Sequence, residues 1–391
     1  MEKRPLHNIV KSISTGLNPR QNFVLNETNA SFYYVTVKEI TTNKVVFSSS
    51  TDRITEEAKN IINNRSHLEK GDILFSGIGT IGKVAYIDFS TDNWDCSESV
   101  FLIKPNENEV VGKYLSYILS SDIAKNQYEK GAAGAIMKGV RKATLENLLI
   151  PIPSLSEQTR IVGILDTFTA SIDNLKQQIA ERRKQYEYYR DQLLDLEGKD
   201  NDIVPLGDVC EMIKGNGVQK ADFVDEGVGC IHYGQIYTHY GSFTYTTNKF
   251  VSKETFEKAR KASKGDIIMT DTSENVEDIC KSVAYLGEED IAVSNHALIL
   301  KHKQNPKFLS FSTQTNSFFN QKRKVVVGVK VSGIKPEHLA QIMIYLPSLE
   351  EQQRIVSILD TFEASISNLE AQLKEREKQY EFYRNKLLTF E

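Results

Sequence analysis

The chain has 391 residues, 40% hydrophobic and 26% charged, with a formal net charge of −4. That length exceeds one ordinary core and suits two domains of about 150 residues with additional helix. No apolar run approaches the roughly 18 residues of a membrane span, and the start, MEKRPLHNIV, lacks an apolar signal segment, so a cytoplasmic protein is expected.

Cys96, Cys210, Cys230 and Cys280 show no CxxC spacing and no histidine at ligand distance. Neither a disulfide framework nor a metal site is indicated, and reduced, partly buried thiols are expected. No cofactor is expected.

From the N-terminus, FYYVTV, DILFS, KVAYI and SVFLI read as strands, and Thr55–Asn63 and Lys113–Gln127 as helices, which makes residues 1–150 a mixed domain. Between two of these strands, GIGTIG at Gly77–Gly82 satisfies GxGxxG. A dinucleotide fingerprint needs a helix next, its N-terminus facing the pyrophosphate, whereas Lys83–Ile87 reads as strand. The glycines are therefore expected to form a hairpin turn that presents a loop, with Thr80 and Lys83 as candidate contacts. A basic cluster follows: Lys130, Lys138, Arg141 and Lys142.

Residues 151–200 hold a helical segment and the start of a polar linker, GKDND at Gly198–Asp202. Ser154 with Glu157 three residues on has the pattern of a capping box. Apolar residues then recur at spacings of four and three, from Ile161, Leu165, Phe168, Ile172, Leu175 and Ile179 to Tyr186, Tyr189, Leu193 and Leu196, which is a coiled-coil seam. Asp166 and Thr167 could instead cap a second helix after a short first one.

Residues 201–344 repeat the domain in diverged form, and residues 345–391 repeat the helix closely. A shift of 194 lays Pro151–Glu197 over Tyr345–Glu391 with about 30 of 47 positions identical. GDILF at Gly71 meets GDIIM at Gly265 at the same shift, while Val84–Tyr86 meets Val283–Tyr285 after about five extra residues. The loop of the second copy, TDTSENVEDICKS, has no glycine. Arg182 and Arg376 interrupt the two seams at matched positions. In a parallel pairing these cations would face each other, so an antiparallel pairing is favoured, with the arginines as register markers; stems merely lying along the seam are the alternative.

No amino-methyltransferase (D/N)PP(Y/F), Walker lysine loop or metal-spaced histidine pair occurs. The length is expected to serve recognition or assembly. A second basic cluster, Lys322, Arg323, Lys324, Lys330 and Lys335, matches the first in position. Two such clusters, rich in cations and glycine, suggest two contact sites on a polyanion, against the alternative of a solvated charged face. Gln235, Thr272, Ser273 and Asn275 are candidate base readers of the second domain.

This layout resembles the DNA specificity subunits of Type I restriction-modification complexes over nearly the whole chain. The resemblance rests on IPIPSLSEQTRIVGILD and IYLPSLEEQQRIVSILD, on GDILFSGIGTIGKVAYI, and on HYGQIY at His232–Tyr237. It implies an α+β protein in which two target recognition domains alternate with two long helices, paired as an antiparallel coiled coil with approximate twofold symmetry. It further implies a non-catalytic subunit that binds double-stranded DNA at a bipartite, asymmetric site, one half per domain. The helices would space the domains roughly one DNA turn apart, about 34 Å. The implied partners are two DNA methyltransferase subunits and, in complexes that also cut, restriction subunits. Methyltransferase subunits of the family dock largely on the helical repeats, where Tyr188 and Phe382 lie off the seam at matched positions. They are candidate partner contacts, with packing against the chain's own domains as the alternative.

Overall fold

The two serine-led segments each become one unbroken helix, Leu155–Leu194 and Leu349–Thr389, in the computed structural model, which describes residues 2–20, 22–41, 43–130, 139–198, 202–326 and 332–390. The Ser154 and Ser348 hydroxyls accept the amides of Glu157 and Glu351 at 3.3 Å, closing the first turns. Those glutamate carboxylates are gripped by Arg160 and Arg354 at 2.7 Å. Asp166 and Thr167 start no second helix; the Thr167 hydroxyl bonds back to the Gly163 carbonyl at 2.9 Å. The first helix ends at Leu194, so Leu196 lies outside it.

Two compact units form, Met1–Lys176 with Gln372–Glu391, and Gln177–Ala371. In the first, Phe168 stacks on Tyr383 with ring centroids 5.4 Å apart, and the Arg376 guanidinium lies 5.8 Å from the Phe168 ring. In the second, Tyr189 stacks on Phe362 at 5.4 Å, and Arg182 lies 5.9 Å from the Phe362 ring. Within each unit a position near the start of one helix meets a position near the end of the other, so the helices run antiparallel. Both arginines are half-buried and end on an aromatic face of the opposite helix, a contact worth about 0.5–1 kcal/mol at a partly exposed site. Each cation thus has a specific aromatic partner.

The sheets repeat. In the first unit the antiparallel order is Val10–Thr15, Val100–Pro105, Ile73–Ser76, Val84–Tyr86. In the second it is Glu211–Lys214, Ala297–Lys301, Ile267–Thr270, Ser282–Tyr285, extended by Phe243–Thr244 in parallel. Alternation along the central strand serves two cores: Ile73 and Phe75 pack with Ile161 and Leu165 of the long helix, Leu74 with Trp94 and Leu102 behind the sheet. Register corrects the repeat alignment. Tyr86 faces Ile73, and Ala284 faces Ile267, so Ala284 rather than Tyr285 is the counterpart of Tyr86. The extra length of the second copy is therefore four residues, a shift of 198 against 194.

The expected helix over Lys113–Gln127 is two, Gly112–Leu119 and Asp122–Tyr128. Ser120 and Ser121 donate to the Tyr117 and Ile118 carbonyls at 2.9 and 2.6 Å, competing with the helical ladder at that point. Four free cysteines are all buried, in keeping with structural thiols.

Each domain is fastened to its long helix by the same bonds. Gln158, with no exposed surface, accepts the Val111 amide at 2.8 Å and donates to the Pro153 carbonyl at 2.9 Å. Gln352, also fully buried, accepts the Asn305 amide at 3.0 Å and donates to the Pro347 carbonyl at 2.8 Å. Lys113 pairs with Asp166 at 2.7 Å, and Lys307 with Asp360 at 2.9 Å. Gln127 clasps the Leu149 backbone as Gln321 clasps that of Met343.

Gln158→Ala or Gln352→Ala strands a buried amide and should cost about 1–3 kcal/mol in chemical denaturation, with the other unit less affected. Asp95, fully buried, accepts the Cys96 amide and the Ser66 hydroxyl, and burial nonetheless pushes its carboxyl up to about 6. Its folded value lies above the unfolded one, so its ionisation drains stability as pH rises towards 6. The melting temperature of Asp95→Asn relative to the parent should accordingly climb between pH 4 and 6 and level off above.

Candidate nucleic-acid interface

In the first unit, Gly77–Gly82 is the turn between Ile73–Ser76 and Val84–Tyr86, as expected of a hairpin, with Gly79 and Gly82 at φ +79° and +84°. The Ser76 hydroxyl braces it, donating to the Thr80 carbonyl at 2.6 Å and accepting the Lys83 amide at 2.8 Å. The Val140 amide donates to the Gly77 carbonyl at 2.8 Å, and Ile78 bridges to Gly139, so the turn is tied to the chain that precedes the long helix.

Thr80, Lys130, Arg141 and Lys142 are exposed around these ties. Arg141 caps the short helix Lys142–Glu146, and Lys142 is partly engaged by Glu146 at 3.7 Å. Lys83 is half-buried, its ammonium donating to the Val37 carbonyl at 2.9 Å. Lys138 lies outside the described residues.

The second unit builds the same frame from a longer loop. Thr272–Ser273 pairs with Ser332–Gly333, and the Ile334 amide donates to the Asp271 carbonyl at 3.0 Å. Asn275 is folded into the turn, its side chain bonding both the amide and the carboxylate of Asp278. Thr272 and Ser273 are half-buried, and the Tyr237 hydroxyl donates to the Thr272 carbonyl. Arg323, Lys324 and Lys335 are exposed; Lys324 and Lys335 are the counterparts of Lys130 and Arg141. Lys330 lies outside the described residues.

Two candidates are corrected. Lys322 is only 5% exposed, and its ammonium donates to the Glu277 and Ile279 carbonyls at 2.9 and 2.5 Å. It supports the loop from beneath, burial lowers its pKa, and no phosphate can reach it. Its counterpart is Tyr128, whose hydroxyl lies under Gly82, where an added Cβ would come within 2.0 Å. Gln235 is also buried; its carbonyl accepts the His232 amide at 2.8 Å and its amide donates to Asn248. It closes the capping box of Tyr233–Thr238 and is not free to read a base.

The residue overlooked in the sequence is His296. It sits at φ +64°, with its ring 5.4 Å from that of Tyr233 and Nδ1 3.9 Å from Asp271. Together with Tyr233, Tyr237, Thr272 and Ser273 it lines a cleft of about 530 Å³. Only HYGQIY hinted at this place. No group of three or more His, Cys, Asp or Glu suited to a metal occurs among the described residues, and none of their helices is long and apolar enough to cross a membrane.

On the helices, Tyr188 and Phe382 are 61% and 60% exposed, which excludes burial against the chain's own domains. Each packs edge-on against its neighbour, Tyr189 or Tyr383, at 5.4 and 5.3 Å.

A sequence model described as the Type I restriction modification DNA specificity domain matches residues 1–182 and again 198–377. The chain belongs to this family. It is 30% identical over 280 residues to a putative type I restriction enzyme specificity subunit of Haemophilus influenzae, covering 66% of this chain and 68% of that protein. It is 25% identical over 343 residues to the EcoR124I/EcoR124II specificity subunit of Escherichia coli, covering 81% and 80%. A solved chain from a study of type I complex assembly and conformational transition has the same fold, with a TM-score of 0.60, 19% identity and coverage of 99% and 96%. The S subunit from M. genitalium gives 0.53, 16%, 99% and 95%. The chain is a DNA specificity subunit, whose part is recognition rather than catalysis.

If Lys322 is structural and Lys324 is not, Lys322→Ala should lower the stability of the second unit by about 1–3 kcal/mol, whereas Lys324→Ala should change it by less than about 0.5 kcal/mol. Denaturant midpoints of the two variants check this.

Proposed function

We propose that this specificity subunit reads a bipartite, asymmetric DNA site, one half by each of the domains 1–150 and 201–344, while the helical repeats 151–200 and 345–391 carry the partners. The observation that carries this reading is the repeated frame of hairpin loop, bridge and exposed cations holding two loops of different length and composition. Similar frames suit the sequence-independent phosphate backbone; different loops suit different bases. Lys130, Arg141, Lys324 and Lys335 take phosphates. Thr80 and the Thr272–Ser273 edge with His296 approach base edges.

The partners in this reading are two methyltransferase subunits, seated on the exposed aromatic pairs Tyr188–Tyr189 and Phe382–Tyr383, with restriction subunits joining in a complex that also cuts. Large exposed aromatics of this kind are favoured anchors of interfaces.

Removing Arg141 and Lys335 together should weaken duplex binding alike on all sequences and reduce the slope of log K against log salt by up to about 1.8. An unchanged slope would remove both residues from the phosphate contacts. Tyr188→Asp with Phe382→Asp should abolish co-purification with the methyltransferase subunit while circular dichroism shows the helices intact; full retention of the partner refutes the docking site.

A further inference from the structure

The two units differ at one internal site in a way that leaves a charge missing. In the second unit Glu363 of the long helix is turned inward, accepting the Ser242 hydroxyl at 2.7 Å and the Tyr186 hydroxyl at 3.5 Å. Gln314 closes over it, donating to Ser242 Oγ at 3.1 Å. Arg190 lies on the Tyr186 ring at 5.8 Å and is neutralised by Asp191 at 2.9 Å. The site is full.

In the first unit every one of these positions has an identifiable counterpart. Tyr380 and Arg384 stand for Tyr186 and Arg190 at the shift of 194, and the guanidinium again lies over the ring, at 5.4 Å. Asn43 stands for Ser242, because its carbonyl accepts the Tyr86 amide as that of Ser242 accepts the Ala284 amide, and Tyr86 and Ala284 share a register position. Glu363 is replaced by Thr169, Gln314 by Ser120 and Asp191 by Asn385.

Beside these positions lies a cavity of about 460 Å³, which Asn43, Ser120, Tyr380 and Arg384 line together with Thr41 and Lys83. None of the described residues that line it is acidic. Arg384 Nε is buried without a hydrogen-bond partner, and among the described residues Arg384 forms no ion pair; the equally unpartnered Asn43 Oδ1 is an acceptor and calls for a donor, such as the hydroxyl of a protonated phosphate. A buried donor of a charged group left unpaired costs more than an ordinary hydrogen bond returns, so the place favours an incoming acceptor.

We infer that this cavity is a binding site for a small oxyanion, a phosphate or carboxylate group that takes the place Glu363 fills in the other unit. Arg384 supplies the charge and the Nε–H, and the Tyr380 and Ser120 hydroxyls stand within the same lining. The volume lies in the range of small-molecule sites, so an oxyanion borne on a small organic body is also accommodated. Lys83 joins the cavity to the hairpin loop. The oxyanion can therefore come from a free ligand or from a DNA backbone phosphate.

The test is a titration of the full chain with inorganic phosphate at constant ionic strength, read by calorimetry. Saturable binding of one phosphate per chain is expected. Arg384→Gln should weaken it at least tenfold. Thr169→Glu, which rebuilds the carboxylate, should abolish it and raise the melting temperature in phosphate-free buffer. Glu363→Thr with Gln314→Ser and Asp191→Asn, which also frees Arg190, should open the second site and give two phosphates per chain. Absence of saturable binding to the parent chain, or wild-type affinity in Arg384→Gln, overturns the inference; the latter variant keeps the test decisive even if Thr169→Glu does not fold. Adding saturating duplex DNA then names the source. Displacement of phosphate supports a DNA phosphate, and undiminished binding supports a free ligand.

Discussion

A buried glutamine on each long helix decides how the rest of the structure is held. Gln158 and Gln352 have no solvent to fall back on, so both must be satisfied internally: each carbonyl accepts a backbone amide of the adjoining domain, and each NH2 donates to the proline carbonyl that leads into the helix. Around each, an ion pair from the domain to the helix and a glutamine clasp on the strand that leads into it repeat almost atom for atom. These bonds fix the frame of each domain to its helix and leave the hairpin loops out of the bargain. A loop can therefore change length by four residues, as between the copies, without disturbing the anchor.

The seam is held by a different economy. Arg182 and Arg376 occupy positions that a coiled coil normally gives to apolar side chains, and each resolves the conflict by resting on a phenylalanine of the opposite helix. The neighbouring aromatic stacks, Phe168 on Tyr383 and Tyr189 on Phe362, place one face of each tyrosine in the seam and leave Phe382 and Tyr188 beside them in solvent. The seam arginines and the exposed aromatics thus lie within two helical turns of each other, Arg182 with Tyr188 and Arg376 with Phe382.

Much of this was legible in the sequence. Helix, seam, antiparallel pairing and the hairpin nature of GIGTIG follow from period and turn chemistry, which act locally. What was not legible depends on partners distant in the chain. Lys322 looked like part of a basic cluster because charge is visible in a sequence and burial is not; only the carbonyls of Glu277 and Ile279 show that it does the supporting work of Tyr128. Gly82 with Tyr128 and Cys280 with Lys322 are alternative solutions to one crowded spot, both with positive φ at the loop residue. Gln235 was similarly taken inward by a capping box, and the one-residue slip at Val84–Tyr86 arose because VAY recurs by composition while the sheet pairs by register. His296 carried no sequence signal at all, since its place depends on a turn between strands of two different sheets.

The central claim is that two units of one specificity subunit read two different half-sites. The most direct measurement is to co-express the chain with its methyltransferase subunit and map methylated adenines across a genome. A single bipartite motif, with two unlike halves separated by a fixed number of unread base pairs, is the predicted result. Methylation at one undivided motif, or none dependent on this chain, would contradict the account.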